Sequence, residues 1–153
     1  MLTFRRTIFS CVAALGLIAA VFAGQASQKE WKHYDDGGGR SFQQDKPRLD
    51  RFAEEIKNNK SAKAYIIAYG GLVSYKNEAS IRLGCIQNYL KTVHGIDRDR
   101  LELIDGGYRV EVSVRLDLVE PDGHKPGPYS LVNREAVQMR RAPKYPCGKP
   151  SAK

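Results

Sequence analysis

Apolar residues recur at helical spacing in two segments of the chain. The first helix is predicted to begin near Asp45 to Pro47, with Asp45 as its cap, and to end at Asn58-Asn59. The second is predicted over about 75–94, and Gly95 ends it as a left-handed cap. One apolar stripe runs along each helix: Leu49, Phe52, Ala53 and Ile56 on the first, and Ala79, Leu83, Ile86, Leu90 and Val93 on the second.

Three further segments have the pattern of β-strands. Residues 63–69 are rich in β-branched and aromatic side chains and stop at a glycine pair. Residues 101–105 form a second apolar strand that stops at another glycine pair. From 110 to 118, valine and leucine alternate strictly with polar residues. That alternation predicts an antiparallel strand with one dry face and one wet face.

The order of these elements indicates the fold class. Two strands joined through a helix are predicted to be parallel, with a right-handed crossover. We therefore expect an α/β (α+β) two-layer sandwich with a mixed sheet and its helices on one face, spanning residues 46–119. The polar, glycine-rich segment 27–45 has room for at most one short edge strand. The proline-rich tail 120–153 contains one weak helical segment, at 131–141.

The first 26 residues have the three parts of a secretory signal. Arg5 and Arg6 precede an apolar run over 8–22, and small residues follow at the predicted cleavage points near Ala23 or Ala26. The alternative is a membrane anchor, but a run of about 15 residues is shorter than the roughly 18–20 that span a bilayer. We expect a cleaved signal, a periplasmic or secreted protein, and no transmembrane span afterwards.

Removal of the signal lowers the formal net charge from +8 to +6. The tail carries most of the remaining net positive charge, while residues 27–119 are nearly neutral. A basic tail is consistent with attraction to anionic polymers or membrane surfaces. It is equally the pattern of a solvated tail that keeps a protein soluble.

Two cysteines, Cys85 and Cys147, remain after the signal is removed. In an oxidising compartment they can close a disulfide that ties the tail to the domain. The alternative is a pair of free thiols, with Cys85 buried as a small apolar side chain. The sequence leaves both alternatives open.

Over residues 46–119 the chain resembles a known family. Five elements carry the resemblance: the first helix, the Tyr65–Gly71 strand, the second helix, the Gly95-Ile96-Asp97 turn and the Val110-Glu111-Val112 strand. Together they are similar to the C-terminal domain of outer-membrane protein A and its relatives. The resemblance implies a β-α-β-α-β-β sandwich. It also implies binding of the diaminopimelate side chain of peptidoglycan, without catalysis.

The resemblance assigns one ligand residue and departs at another. Arg82 stands at the family's arginine, which holds a carboxylate of diaminopimelate. Gly71 stands where the family has an aspartate, and the loop between the two positions is about four residues shorter. The ligand's ammonium group therefore lacks its family counter-ion, and Asp105 is the first candidate to replace it.

Reasoning from the residues alone leads to the same edge of the sheet. Parallel strands place both glycine pairs at their carboxyl ends, where open α/β sheets bind ligands. Paired glycines let a ligand approach the backbone, although each pair can equally be a tight turn. The candidate ligand-binding residues are Arg82, Gly70, Gly71, Asp105, Gly106, Gly107, Tyr108 and Arg109.

No catalytic or metal-binding motif is present. His33, His94 and His124 are far apart and lack the spacing of a metal site, and no serine or cysteine lies in a nucleophile motif. We predict a non-catalytic cell-envelope protein without cofactor, metal or nucleic-acid partner, which binds peptidoglycan or another anionic envelope polymer. The alternative is a structural or protein-interaction module whose ligand site has decayed. The oligomeric state is not predicted.

Overall fold

A computed structural model describes residues 32–38, 41–144 and 146–148. The predicted signal and its cleavage points lie outside these residues. Along the described chain, six strands and two α-helices follow in the order β1-α1-β2-β3-α2-β4-β5-β6. Their bounds are β1 Lys32–Gly37, α1 Phe42–Asn58, β2 Lys63–Gly70, β3 Val73–Tyr75, α2 Glu78–His94, β4 Leu101–Tyr108, β5 Ser113–Val119 and β6 Gln138–Arg140.

Four strands form a mixed sheet in the order β1-β5-β2-β4. β2 and β4 are parallel, as the crossover through α2 predicts, and β5 is antiparallel to both of its neighbours. One face of the sheet shares a single apolar core with the buried stripes of α1 and α2. The predicted two-layer α/β sandwich, with a mixed sheet and its helices on one face, is therefore confirmed. The sheet contributes Ala64, Ile66, Ala68, Leu101, Val114, Leu116 and Leu118 to that core.

Helix α1 begins one turn earlier than the sequence predicted. Ser41 is its cap residue, and the side-chain carbonyl of Gln44 accepts the Ser41 backbone N–H at 3.1 Å. This reciprocal capping pattern starts the helix at Phe42. Asp45 is therefore not a cap but a buried residue of the helix, and Pro47 lies inside the helix.

Helix α2 ends at His94 with Gly95 as its left-handed cap, as predicted, but three details near the ends of the predicted elements are wrong. Val93 is 60% exposed and does not belong to the buried stripe of α2. β4 does not stop at its glycine pair but continues through it to Tyr108. Val110 is 62% exposed and lies in the connection between β4 and β5, so the final strand starts only at Ser113.

The second face of the sheet is buried rather than wet. Tyr65, Ile67 and Tyr69 of β2 point to this face and are buried. On the neighbouring strand β5, Asp117 is fully buried, and Arg115 lies 2.8 Å from one of its carboxylate oxygens. The prediction of one wet face fails because alternation shows only that two faces differ in polarity. It does not show that the polar face meets water.

The cover over this second face is the C-terminal segment. We call residues 120–144 and 146–148 the strap. Pro126 is buried, and the Tyr129 backbone N–H donates to the Tyr69 hydroxyl at 3.2 Å. Further along, the Leu131 and Val132 N–H groups donate to the Tyr108 carbonyl. β6 then pairs with β3 in a separate two-stranded parallel sheet.

The strap contains no α-helix in the segment 131–141. A short 3₁₀ turn at Arg134–Ala136 is followed directly by β6. Beyond β6, Cys147 forms a disulfide with Cys85 of α2, and their Cα atoms lie 5.3 Å apart. Of the two alternatives for the cysteines, the structure contains the disulfide. The tail is therefore tied to both layers of the domain.

Loss of the disulfide is predicted to destabilise the fold. The bond closes a loop with a sequence separation of 62, for which chain-entropy arguments give about 4 kcal/mol. We expect Cys147→Ser, at an exposed position, to lower the free energy of unfolding in urea by that order. Reduced wild type serves as the control and is expected to match the variant. Equal stability of the oxidised wild type and the variant would contradict the prediction.

Candidate functional site

The structure brings the two glycine pairs to one edge of the sheet. β2 and β4 run in parallel, and Gly70 pairs in register with Tyr108. The Arg109 backbone N–H donates to the Gly70 carbonyl at 2.9 Å. The carboxyl ends of the two strands therefore meet, as their parallel direction requires.

These glycines are packed against the protein's own atoms. A Cβ atom at Gly106 would lie 2.3 Å from the Tyr69 ring, and one at Gly70 would lie 2.8 Å from the Ser74 hydroxyl. A Cβ atom at Gly71 would lie 3.0 Å from the Val112 nitrogen. The missing side chains make room for internal packing. These three glycines form neither a ligand cradle nor a simple tight turn.

Arg82, the predicted carboxylate partner, lies inside the protein. It is only 5% exposed, and its guanidinium forms a buried ion pair with Asp45 of α1. A second nitrogen of the guanidinium lies 3.9 Å from a carboxylate oxygen of Glu78, one helical turn earlier. The acids opposite Arg82 are therefore Asp45 and Glu78, and not Asp105.

The ion pair continues on both sides as an alternating row of charges. On one side Arg48 contacts Asp45 at 3.4 Å and Asp35 of β1 at 2.5 Å. Arg48 also donates to the Val114 carbonyl of β5 at 3.0 Å. On the other side Arg140 of the strap contacts Glu78 at 3.2 Å. We call this row the charge network; its members are Asp35, Arg48, Asp45, Arg82, Glu78 and Arg140.

Glu78 is held by hydrogen bonds as well as by the charges of the charge network. The Ser74 hydroxyl donates to it at 2.7 Å and the Tyr75 backbone N–H at 3.3 Å. Burial, together with the nearby Glu78 charge, raises the pKa of the Tyr75 phenol. Both the loop before α2 and the strap therefore depend on this one buried carboxylate.

Asp105 and its neighbours line a groove instead. The groove lies between the start of α2 and the end of β4 and has a volume of about 220 Å³. Asp105 accepts the Ser80 hydroxyl at 2.7 Å and the Gly107 N–H at 3.0 Å. We call it the edge groove; its lining residues are Lys76, Asn77, Glu78, Ala79, Asp105, Gly107, Tyr108, Arg134 and Met139.

The edge groove presents charges of both signs. Lys76 and Arg134 line it and form no ion pair with other residues that the structure describes. Asp105 on the wall opposite is exposed. Asn77 adopts a left-handed conformation there, with φ of 59°, which asparagine tolerates better than most residues. A zwitterionic group can thus find both a carboxylate and two cations in one groove.

The remaining predicted residues have structural contacts. The Arg109 guanidinium lies 3.8 Å from the centre of the Tyr69 ring and 3.0 Å from the Asp36 carboxylate. The Tyr108 backbone holds the strap through Ser130 and the two residues after it. Arg109 therefore belongs to the second face of the sheet, and only Asp105, Gly107 and Tyr108 line the edge groove.

Sequence reasoning missed most of the charge network. The i,i+3 spacing of Asp45 and Arg48 and the i,i+4 spacing of Glu78 and Arg82 are visible signals for paired charges on a helix. No such signal connects either helix to β1 or to the strap, because those contacts depend on tertiary packing. Lys76 and Arg134, which line the edge groove, carry no motif at all.

A second polar cluster joins the two helices. The Asp50 carboxylate accepts the Tyr89 hydroxyl at 2.6 Å and hydrogen-bonds to His94 at 2.8 Å. The Tyr89 hydrogen bond, followed by the contribution of His94, lowers the pKa of Asp50. The same bond raises the pKa of Tyr89 to about 12. His94 is thus a contact at the helix end.

Neither a metal cluster nor a membrane span is found in the described parts of the chain. Among these residues, no group of three or more His, Cys, Asp or Glu side chains is placed to hold an ion. None of the described helices has the length and apolar character needed to cross a bilayer. Comparison with known proteins adds no assignment, since no family model, curated protein or solved structure matches the chain.

Arg82→Met is predicted to destabilise the protein in the absence of any ligand. Removing one partner of a buried ion pair typically costs about 3–5 kcal/mol, because the other charge stays buried. Urea unfolding measures the loss. Arg98→Met, at an exposed position, is the control and is expected to change stability by less than about 0.5 kcal/mol. A neutral Arg82→Met would contradict the structural role.

The Asp50–Tyr89 hydrogen bond is predicted to make the free energy of unfolding depend on pH. The pKa of Tyr89 in the folded protein is raised to about 12. The stabilisation that Tyr89 contributes is therefore present below pH 10 and is lost as the pH rises through 12. Asp50 has a lowered pKa, so its contribution is lost as the pH falls through that value. Ultraviolet titration is expected to include a component that ionises near pH 12. Tyr89→Phe removes that component.

Asp50→Asn is the control for this titration. Without the carboxylate, the Tyr89 phenol is expected to ionise closer to the ordinary value of about 10. An unchanged titration in Asp50→Asn would show that the hydrogen bond is not the cause of the raised pKa.

Proposed function

We propose that this chain is an exported, non-catalytic cell-envelope protein with an OmpA-like domain, and that its edge groove binds a zwitterionic or anionic envelope component such as a peptidoglycan stem. The proposal is supported by the signal-like N-terminus, by the resemblance over residues 46–119, and by the disulfide. A disulfide between Cys85 and Cys147 is typical of proteins outside the cytoplasm.

The main support for the proposal is that the edge groove is lined by charges of both signs. Asp105 offers a carboxylate for an ammonium group, and Lys76 and Arg134 offer cations for a carboxylate. Stem peptides of peptidoglycan carry both groups. The contacts proposed here differ from those of the family, because Arg82 is already held by Asp45 and Glu78.

The lining of the edge groove supports binding rather than catalysis. None of its residues is a histidine, cysteine or serine, so it lacks the usual nucleophile–base pair. Its exposed carboxylate, Asp105, already accepts hydrogen bonds from Ser80 and Gly107. These bonds fix the carboxylate in place, which suits a counter-ion for a bound ammonium group.

Sedimentation with purified sacculi tests the proposal. Wild type is expected to pellet with them. Lys76→Ala/Arg134→Ala and Asp105→Asn are each expected to lower the bound fraction at least fivefold. The matched control is Lys91→Ala/Arg98→Ala, which removes the same charge from a separate groove at the other end of α2. Equal pelleting of the two double variants, or none by wild type, would contradict the proposal.

A second function, as a protein-interaction module, is favoured by exposed apolar side chains. Leu72, Val73 and Val110 line another groove of about 540 Å³ beside β3, and each is at least 36% exposed. Val73→Asp/Val110→Asp distinguishes the two functions. Under the leading proposal this variant pellets with purified sacculi like wild type, whereas a protein-interaction module requires that neither protein pellets with them.

A further inference from the structure

The loop before α2 and the strap together form a small binding arrangement around Glu78. The Glu78 side chain is only 1% exposed. One of its oxygens is occupied by the Ser74 hydroxyl and the Tyr75 N–H. The other oxygen faces a guanidinium nitrogen of Arg140 at 3.2 Å. The carboxylate is thus held in a fixed direction and points one oxygen at a cation.

An aromatic ring completes this arrangement. The guanidinium carbon of Arg140 lies 5.1 Å from the centre of the Tyr75 ring. A fixed carboxylate beside an aromatic face is the combination that recognises guanidinium groups, through a charge-assisted hydrogen bond and a cation–π contact. A lysine side chain is expected to bind this carboxylate and ring less well, because an ammonium lacks the planar face that stacks on a ring. We call Ser74, Tyr75 and Glu78 the guanidinium socket.

Arg140 is held in the socket by few contacts. Its side chain is 41% exposed, and it contacts Glu78 through one nitrogen only. The strand that carries it, β6, has three residues, all exposed. The arginine end of this ion pair is therefore open to solvent, whereas its carboxylate end is buried. An incoming guanidinium thus competes with Arg140 for a carboxylate that is already in place.

The socket is expected to remain intact when Arg140 leaves it. Glu78 keeps a second cation, since Arg82 lies 3.9 Å from the same oxygen that faces Arg140. Ser74 and Tyr75 continue to hold the other oxygen. The carboxylate is thus neither left alone in an apolar environment nor free to turn away.

We propose that the guanidinium socket is a binding site for an arginine side chain of a partner peptide, and that Arg140 is its internal occupant, which keeps the site closed. The partner replaces β6 beside β3, in the register where Arg140 now pairs with Tyr75. An extended peptide is the expected form, because pairing with a strand supplies main-chain hydrogen bonds in addition to the arginine contact. This site and its ligand go beyond the proposed function of the edge groove.

Nuclear magnetic resonance titration of the oxidised full chain with N-acetyl-arginine amide tests the proposal. In Arg140→Ala, saturable shifts are expected at the Ser74, Tyr75 and Glu78 amides, with an affinity at least tenfold higher than in wild type. N-acetyl-citrulline amide, which has the same shape without the charge, is expected to bind at least tenfold more weakly. Glu78→Gln in the Arg140→Ala background is expected to remove the shifts.

Arg141→Ala is the matched control, because it removes the neighbouring exposed arginine and leaves the socket occupied. It is expected to behave like wild type. If Arg140→Ala lowers the thermal midpoint, Arg140→Ser, which also leaves the Tyr75 ring uncovered, serves in its place. Equal affinity in the Arg140 and Arg141 variants, or binding of citrulline as tight as that of arginine, would overturn the proposal.

Discussion

The buried pairing of Arg82 with Asp45 is the constraint on which the rest of the structure depends. Burying two charges costs several kcal/mol per ion unless each finds partners. Asp45 finds a second partner in Arg48, and Arg82 finds one in Glu78. Because these partners contact β1 and the strap in turn, neither helix satisfies its charges alone. Docking of the edge strand, the two helices and the strap is therefore coupled.

The same constraint changes the functional interpretation of Arg82. An arginine at this position of an OmpA-like domain implies a ligand carboxylate, but here two internal acids neutralise it. Under the proposed function, the charges that would face a ligand are those of the edge groove, on Lys76, Asp105 and Arg134. The proposed contacts thus differ from the ones that the family resemblance implies.

The strap is the other feature that defines the molecule. It contacts the second face of the sheet at the hydroxyl of Tyr69, which is buried there together with Tyr65 and Ile67. Its disulfide to Cys85 ties it to the helical layer. The sheets therefore extend beyond residues 46–119, since β1 forms an edge of the four-stranded sheet and β6 of the strap pairs with β3.

Local patterns predicted the fold better than the site. The apolar stripe from Leu49 to Ile56 depends only on periodicity, and it predicted the helical layer correctly. The connection through α2 correctly predicted that β2 and β4 are parallel. Polar alternation in β5 was misread, because a buried salt bridge such as Arg115–Asp117 has the same pattern as a solvated face. The pairing of Arg82 with Asp45 was not predicted, because the two residues are 37 positions apart in the sequence.

The most direct test of the central claim is the state of the Arg82 guanidinium in solution. Nuclear magnetic resonance of its Nη protons in the ligand-free protein is expected to show slow exchange with water and restricted rotation. Both properties are expected to stay unchanged when a diaminopimelate-containing muropeptide is added, while amides around Asp105 shift. Rapidly exchanging Arg82 protons, or Arg82 signals that move with the muropeptide, would contradict the account.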